Sequence, residues 1–216
     1  MPNINENAFL QFIINENILC FGQFTLKSGR HSPYFYNSGL FNSGAKLAKL
    51  GQFYAQTMVD SGLRPDMLFG PAYKGIPLVS AASIALAENH RMDLPYCFNR
   101  KEAKDHGEGG HLVGAELAGK VMIVDDVISA GLTVGESIQI VRQAGADPIA
   151  VMVAFDREEI GQQGRQSALK QLEERFKIKV LTISCVSSLC RFLGTQKAYA
   201  TQLAAIQTYL GKYGAA

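Results

Sequence analysis

Two adjacent carboxylates, Asp125 and Asp126, follow directly on four apolar residues, Val121 to Val124. After them comes a turn of small and hydroxyl residues, Val127-Ile128-Ser129-Ala130-Gly131-Leu132-Thr133, and then a helical pattern from Val134 to Val141. A continuous apolar run bounded by turn signals predicts a strand buried on both faces. Small residues between that strand and a helix let backbone N–H groups converge on an anion at the helix N-terminus. Acids beside a phosphate cradle are contradictory unless the ligand also carries hydroxyls or brings a cation. A phosphorylated sugar with bound Mg²⁺ meets both demands.

A second group is Gly70-Pro71-Ala72-Tyr73-Lys74-Gly75, where Lys74 stands between a strand end and a helix start. A cation beside the positive end of a helix suits a diphosphate. A third is the charged, glycine-rich run from Arg100 to Gly110, which holds Lys101, Lys104 and His106. Such a run is ordinarily a solvated loop. Next to a diphosphate leaving group, however, its cations can enclose the site, exclude water and neutralise developing charge.

The elements that must position these groups alternate along the chain. Helical spacing of Phe9, Phe12, Ile13 and Leu19 predicts a helix over 5–20, and FTLKSGRHSPYFYNSG predicts a hairpin or small sheet. Ser43 caps a helix over 44–61 that ends at Gly62. Short strands are predicted at 66–70, 96–99, 120–126, 149–155 and 178–183. Helices are predicted at 76–89, 133–144 and 165–176, and two more close the chain. Strand–helix alternation with short links predicts an α/β fold, a mostly parallel sheet flanked by helices. Ligands of such sheets sit at the carboxyl ends of the strands. Residues 70–75, 100–106, 125–133 and 156–157 all follow predicted strand ends and are expected to converge.

The 216 residues suit a single domain, and 47% apolar with 19% charged residues provide for a sizeable core. A net charge of +2, with no face flooded by Lys and Arg, speaks against a nucleic-acid binder. Cys20, Cys97, Cys185 and Cys190 are scattered without metal-finger spacing and are expected to be buried, reduced thiols. The N-terminal stretch lacks the pattern of a signal peptide, and no segment reaches the roughly 20 apolar residues of a membrane span. A cytoplasmic protein that engages no membrane is expected.

VMIVDDVISAGLTVGES resembles the phosphoribosyl-diphosphate (PRPP) signature of type I phosphoribosyltransferases. FTLKSGRHSPYFYNSGLF, GPAYKGIPL and NRKEAKDHGEGG resemble segments of the orotate phosphoribosyltransferase family, in that family's order and over about residues 8–210. The resemblance implies one phosphoribosyltransferase domain over 1–216, with a small hood built from about residues 1–40 and C-terminal elements. It implies transfer of the 5-phosphoribosyl group from PRPP to orotate, giving orotidine 5-phosphate and pyrophosphate in pyrimidine synthesis. Asp125 and Asp126 would hold the ribose hydroxyls, near Mg²⁺ carried mainly by PRPP and water. Residues Val127 to Thr133 would cradle the 5-phosphate, with the hydroxyls of Ser129 and Thr133 contributing. Tyr73, Lys74, Arg100, Lys101, Lys104 and His106 would meet the diphosphate. Lys104 is the main candidate for leaving-group stabilisation, and His106 for proton donation or a hydrogen bond.

By the same resemblance the 100–110 loop reaches across a homodimer into the partner's site. Orotate would lie against Lys27, Phe35, Tyr36, Ser129 and Arg157. Two departures stand out: Tyr36 where many relatives carry Phe, and Ser129 where many carry Thr. Both keep the relevant chemistry. The rival readings are a purine phosphoribosyltransferase and a non-catalytic regulator that senses PRPP. The base-binding hairpin speaks against the first, and the lack of a basic recognition element against the second.

Overall fold

The computed structural model describes residues 4–26, 28–104, 110–127, 132–161 and 166–215, and of Ile4, Ala103, Lys104, Gly110, Leu132 and Thr133 the backbone alone. Its centre is a six-stranded sheet in the order β5-β4-β3-β6-β7-β8. The strands are β3 (Met67–Gly70), β4 (Tyr96–Lys104), β5 (Gly110–Gly114), β6 (Lys120–Val124), β7 (Asp147–Asp156) and β8 (Lys179–Cys185). All neighbours pair in parallel except β4 with β5. The run Val121–Val124 is fully buried, as a strand covered on both faces requires.

The two faces separate by the pleat of the strands. Leu68, Met122, Val124, Met152 and Ala154 point into a core built with α1 (Ile4–Asn15), α2 (Gly44–Asp60), α3 (Gly75–His90), α6 (Val186–Gly194) and α7 (Ala200–Tyr213). Met67, Phe69, Ile123, Val151 and Val153 point the other way, against α4 (Leu132–Gln143) and α5 (Ala168–Phe176). A two-stranded antiparallel hairpin, β1 (Leu19–Thr25) and β2 (His31–Tyr36), lies outside this sheet. Its Tyr34 meets Tyr209 of α7 edge to face, with centroids 6.4 Å apart.

Several boundaries differ from the sequence reading. The helix expected over 5–20 stops at Asn15, because Asn17 takes a left-handed conformation (φ 55°) and turns the chain into β1. Residues 100–104 are not a loop but the end of β4, and β5 was not expected. Lys101 and Glu102 are exposed there, so the strand is held by pairing with β5 and shows no apolar period. Helix α4 begins at Leu132, which shortens the expected phosphate turn, and α5 begins at Ala168, capped by Ser167. The cap of α2 by Ser43 is as expected, its hydroxyl accepting from the Lys46 N–H at 3.4 Å. All four cysteines are free, but Cys97 alone is fully buried.

Candidate functional site

The order β4-β3-β6-β7 brings four strand ends side by side, and most of the expected chemistry gathers there. β3 ends at Gly70 and the chain turns through Pro71–Lys74 into α3. Two close approaches shape this turn. A Cβ on Gly70 would fall on the Gly75 carbonyl, and one on Gly75 would stand 2.8 Å from the Gly70 carbonyl carbon. Gly75 N–H donates to the Pro71 carbonyl at 2.9 Å. From β4, the Asn99 side-chain oxygen accepts the Ala72 N–H at 2.8 Å and ties the turn to its neighbour.

Lys74 emerges from this turn with its side chain 61% exposed, so it can reach a ligand. Its ammonium meets Asp126 Oδ2 at 2.6 Å and Ser38 Oγ at 2.8 Å. Ser38 Oγ in turn donates to Asp126 Oδ2 at 2.6 Å. The other carboxylate oxygen, Oδ1, accepts the Val127 N–H at 2.7 Å. Asp126 is therefore held on both oxygens, by its own turn on one side and by the segment after β2 on the other.

Asp125 is buried beside it, and its Oδ1 accepts the Asp126 N–H at 2.9 Å. Its backbone carbonyl takes the Tyr54 hydroxyl of α2 at 2.6 Å. Burial, with the neighbouring Asp126 charge, pushes the Asp125 carboxyl up to about 7, against the smaller opposing effects of the Asp126 N–H and Lys74. A buried acid with so little compensation favours an added cation or hydroxyl donors.

No group of three or more potential ligands forms a metal cage among the described residues. Two hard carboxylates without a cage fit Mg²⁺ that retains water and ligand phosphates, and not a metal held by protein alone. Of the other expected phosphate contacts, Tyr73 is 67% exposed and lies under Lys101, whose Nζ is 4.9 Å from the ring centroid. Val127 is half-buried, and Arg100 sits on β4. Leu132 and Thr133 open α4. Lys104 ends β4 in backbone only, while His106, Ile128, Ser129, Ala130 and Gly131 lie outside the described residues.

The residues expected to meet a planar base divide. Lys27 lies outside the described residues. Phe35 projects from the hairpin, 37% exposed, stacked on Phe24 at 5.5 Å. Tyr36 instead points inward and stacks on Phe155 of β7 at 5.5 Å. Its hydroxyl is buried without a hydrogen-bond partner among the described residues, and burial with the Asp126 charge raises it well above the usual phenol range.

Arg157, just past β7, lies 4.2 Å from the Tyr34 ring centroid and donates to Ser32 Oγ at 2.9 Å. Its Nε donates to Glu159 Oε1 at 2.7 Å. Glu159 also accepts from Arg30 at 2.9 Å and from the Tyr209 hydroxyl at 2.8 Å. The arginine expected to meet the base is thus also half of a salt bridge at the strand end. Sequence reasoning missed Ser38, Asn99, Tyr54 and Ser32, since each acts across a long separation with no local spacing to mark it; Glu159, two residues from Arg157, is in reach of a strand-end salt bridge from the sequence alone. Ser32 and Ser38 stand in SPY and NSG segments whose local pattern signals only a turn.

The phosphoribosyl transferase domain family matches residues 40–193, which span β3 to α6 and so the whole phosphate side of the site. Over 209 residues the chain is 54% identical to the orotate phosphoribosyltransferase of Thioalkalivibrio sulfidiphilus, covering 97% of this chain and 98% of that one. Against the orotate phosphoribosyltransferase of Cronobacter sakazakii the identity is 51% with the same coverage. The crystal structure of the Francisella tularensis orotate phosphoribosyltransferase superposes with a TM-score of 0.88 at 41% identity, covering 96% of this chain and all of that one. The likeness extends beyond the phosphate side to the hairpin and α7, where a base would be read, and on it the chain belongs to the orotate phosphoribosyltransferases, built on the type I phosphoribosyltransferase fold.

Proposed function

We propose that the chain transfers the 5-phosphoribosyl group from PRPP to orotate, yielding orotidine 5-phosphate and pyrophosphate, as a Mg²⁺-dependent cytoplasmic homodimer. The observation that carries this reading is the meeting of Lys74 with Asp126, 2.6 Å apart, at adjacent ends of β3 and β6. A cation for a diphosphate and an anion for hydroxyls stand side by side, as the two ends of a PRPP molecule require.

In this reading Asp125 and Asp126 accept the ribose 2- and 3-hydroxyls, and their charge favours an oxocarbenium-like transition state. When bound, Mg²⁺ supplies charge neutralisation for the diphosphate. Val127 to Thr133 receive the 5-phosphate at the start of α4. Tyr73, Lys74, Arg100 and Lys101 take the diphosphate, joined by Lys104 and His106 from the arm that continues β4 into the partner's site. The hairpin and α7 act as a hood, and Arg157 with Phe35 and Lys27 receives the planar, anionic base. Arg157 suits an anionic base: burial opposes its charge, yet Tyr34 and Glu159 outweigh this and hold the guanidinium firmly protonated.

No helix among the described residues is long and apolar enough to cross a membrane. The test is product formation from PRPP with orotate, hypoxanthine, adenine or uracil, with and without Mg²⁺. Turnover is expected with orotate alone and only with the metal. Activity confined to a purine, or PRPP binding without pyrophosphate release, would overturn the reading.

A further inference from the structure

Asp126 is held by two kinds of partner that respond differently to a ligand. Lys74 is a long, exposed side chain whose ammonium would be drawn to a diphosphate, a stronger anionic partner than one carboxylate. Ser38 is short and half-buried, fixed in a 3-10 turn, Ser38–Leu40, that Asn37 caps through its side-chain oxygen to the Gly39 N–H at 3.1 Å. Its hydroxyl bridges the pair, accepting from Lys74 at 2.8 Å and donating to Asp126 Oδ2 at 2.6 Å.

We propose that Ser38 is a positioning residue for PRPP binding: it keeps the Asp126 carboxylate aimed at the ribose when Lys74 leaves it for the diphosphate. The inference rests on the proposed PRPP site. With the ammonium gone, Oδ1 still accepts from the Val127 N–H and Oδ2 still accepts from Ser38. Both oxygens stay anchored, and each keeps a lone-pair direction for a ribose hydroxyl. Without the hydroxyl, only the Val127 N–H would remain. The carboxylate would then be free to turn about χ2 and follow the departing ammonium. Because Ser38 lies two residues beyond Tyr36, the same contact ties the base-side hairpin to the ribose site.

The test compares wild type, Ser38→Ala and Ser38→Thr by steady-state kinetics with orotate and by direct PRPP titration, both with Mg²⁺. Loss of one hydrogen bond to a charged group predicts that Ser38→Ala raises KM and Kd for PRPP about tenfold. The KM for orotate should stay within about twofold, and Ser38→Thr should restore PRPP binding, since the hydroxyl and not the side-chain volume carries the effect. The Ala cost should persist in a Lys74→Ala background, because Ser38 acts on Asp126 itself.

Unchanged PRPP constants, failure of Thr to rescue, or disappearance of the effect without Lys74 would each overturn the assignment. An equal rise in both KM values with a fallen thermal midpoint would reduce Ser38 to a structural residue and overturn it too. A wild type that binds PRPP but leaves orotate untouched would sink the functional reading alone, and the titrations would still decide Ser38.

Discussion

At the scale of single residues, the unusual group is Asp125. Its carboxyl is pushed up to about 7, so between pH 4 and 7 the folded chain binds this proton more tightly than the unfolded chain does. Its contribution to stability is therefore fully present below the ordinary carboxylate range and is lost as pH rises through about 7. Asp125→Asn removes that loss. The amide oxygen still accepts the Asp126 N–H, and its NH₂ can donate to the Asp126 carboxylate, as the protonated acid does. In chelator and without ligand, the variant should melt about 5 °C above wild type at pH 8, with the gap closing toward pH 5. It should also fail to turn over, since an uncharged group cannot support the developing positive charge. A melting gap that is the same at both pH values would show that Asp125 is not held in this state. In the proposed site, an acid kept at a stability cost is what preorganisation entails.

At the scale of elements, the turn between β3 and α3 sets where Lys74 stands. Its two glycines are needed for close approach, not for unusual dihedrals. A methyl on Gly75 would meet the Pro71 ring at 2.5 Å, the Gly70 carbonyl carbon at 2.8 Å and the Val124 carbonyl at 3.0 Å. A ring and two backbone carbonyls cannot swing aside, so the turn itself must shift. Gly75→Ala is expected to destabilise the fold by about 1–3 kcal/mol and to weaken PRPP binding by displacing Lys74. Gly44, at the start of α2, has open space around its missing Cβ and serves as the control: Gly44→Ala should leave both melting and binding unchanged. Equal behaviour of the two variants would show that close packing does not fix the turn.

The same elements show what a sequence can and cannot convey. Apolar runs ending in Gly70 and Asp125 were legible because buried parallel strands carry their own pattern, and ligands gather at their ends. The charged end of β4 was not, because Lys101 and Glu102 are exposed, face no core, and lie where the ladder to β5 is irregular, between Asn99↔Leu112 and Lys104↔Gly110. Tyr36 shows a subtler limit. Alternation along β2 tells that one of Phe35 and Tyr36 faces inward, but not that Phe155 of β7 would be the ring beneath it. The contacts of Glu159 to Arg30 and Tyr209 join distant parts of the chain, and no local spacing could announce them, whereas its bond to Arg157, two residues away, is a local one.

At the scale of the whole molecule, the question is where the arm at the end of β4 does its work. β4 runs on past Phe98, which pairs with Gly70 at the end of β3, as far as Lys104, which pairs with Gly110 of the edge strand β5. In the proposed dimer each site combines Asp125 of one subunit with Lys104 of the other. Lys104→Ala alone should lower turnover by on the order of 10²–10³ with PRPP binding largely kept, as for loss of one preorganised charge donor. Asp125→Asn alone should be inactive as well. Mixing the two variants under conditions of subunit exchange produces hybrids in which one site has lost both groups and the other has kept both. Random pairing in a twofold dimer makes half the molecules hybrid, each with one intact site in two, so recovery should approach about a quarter of wild-type activity per site. Recovery near that value requires sites shared between subunits, and it distinguishes sharing from mere association. A mixture no more active than the two variants measured apart would place Lys104 and Asp125 in the same subunit's site and return the arm to its own chain.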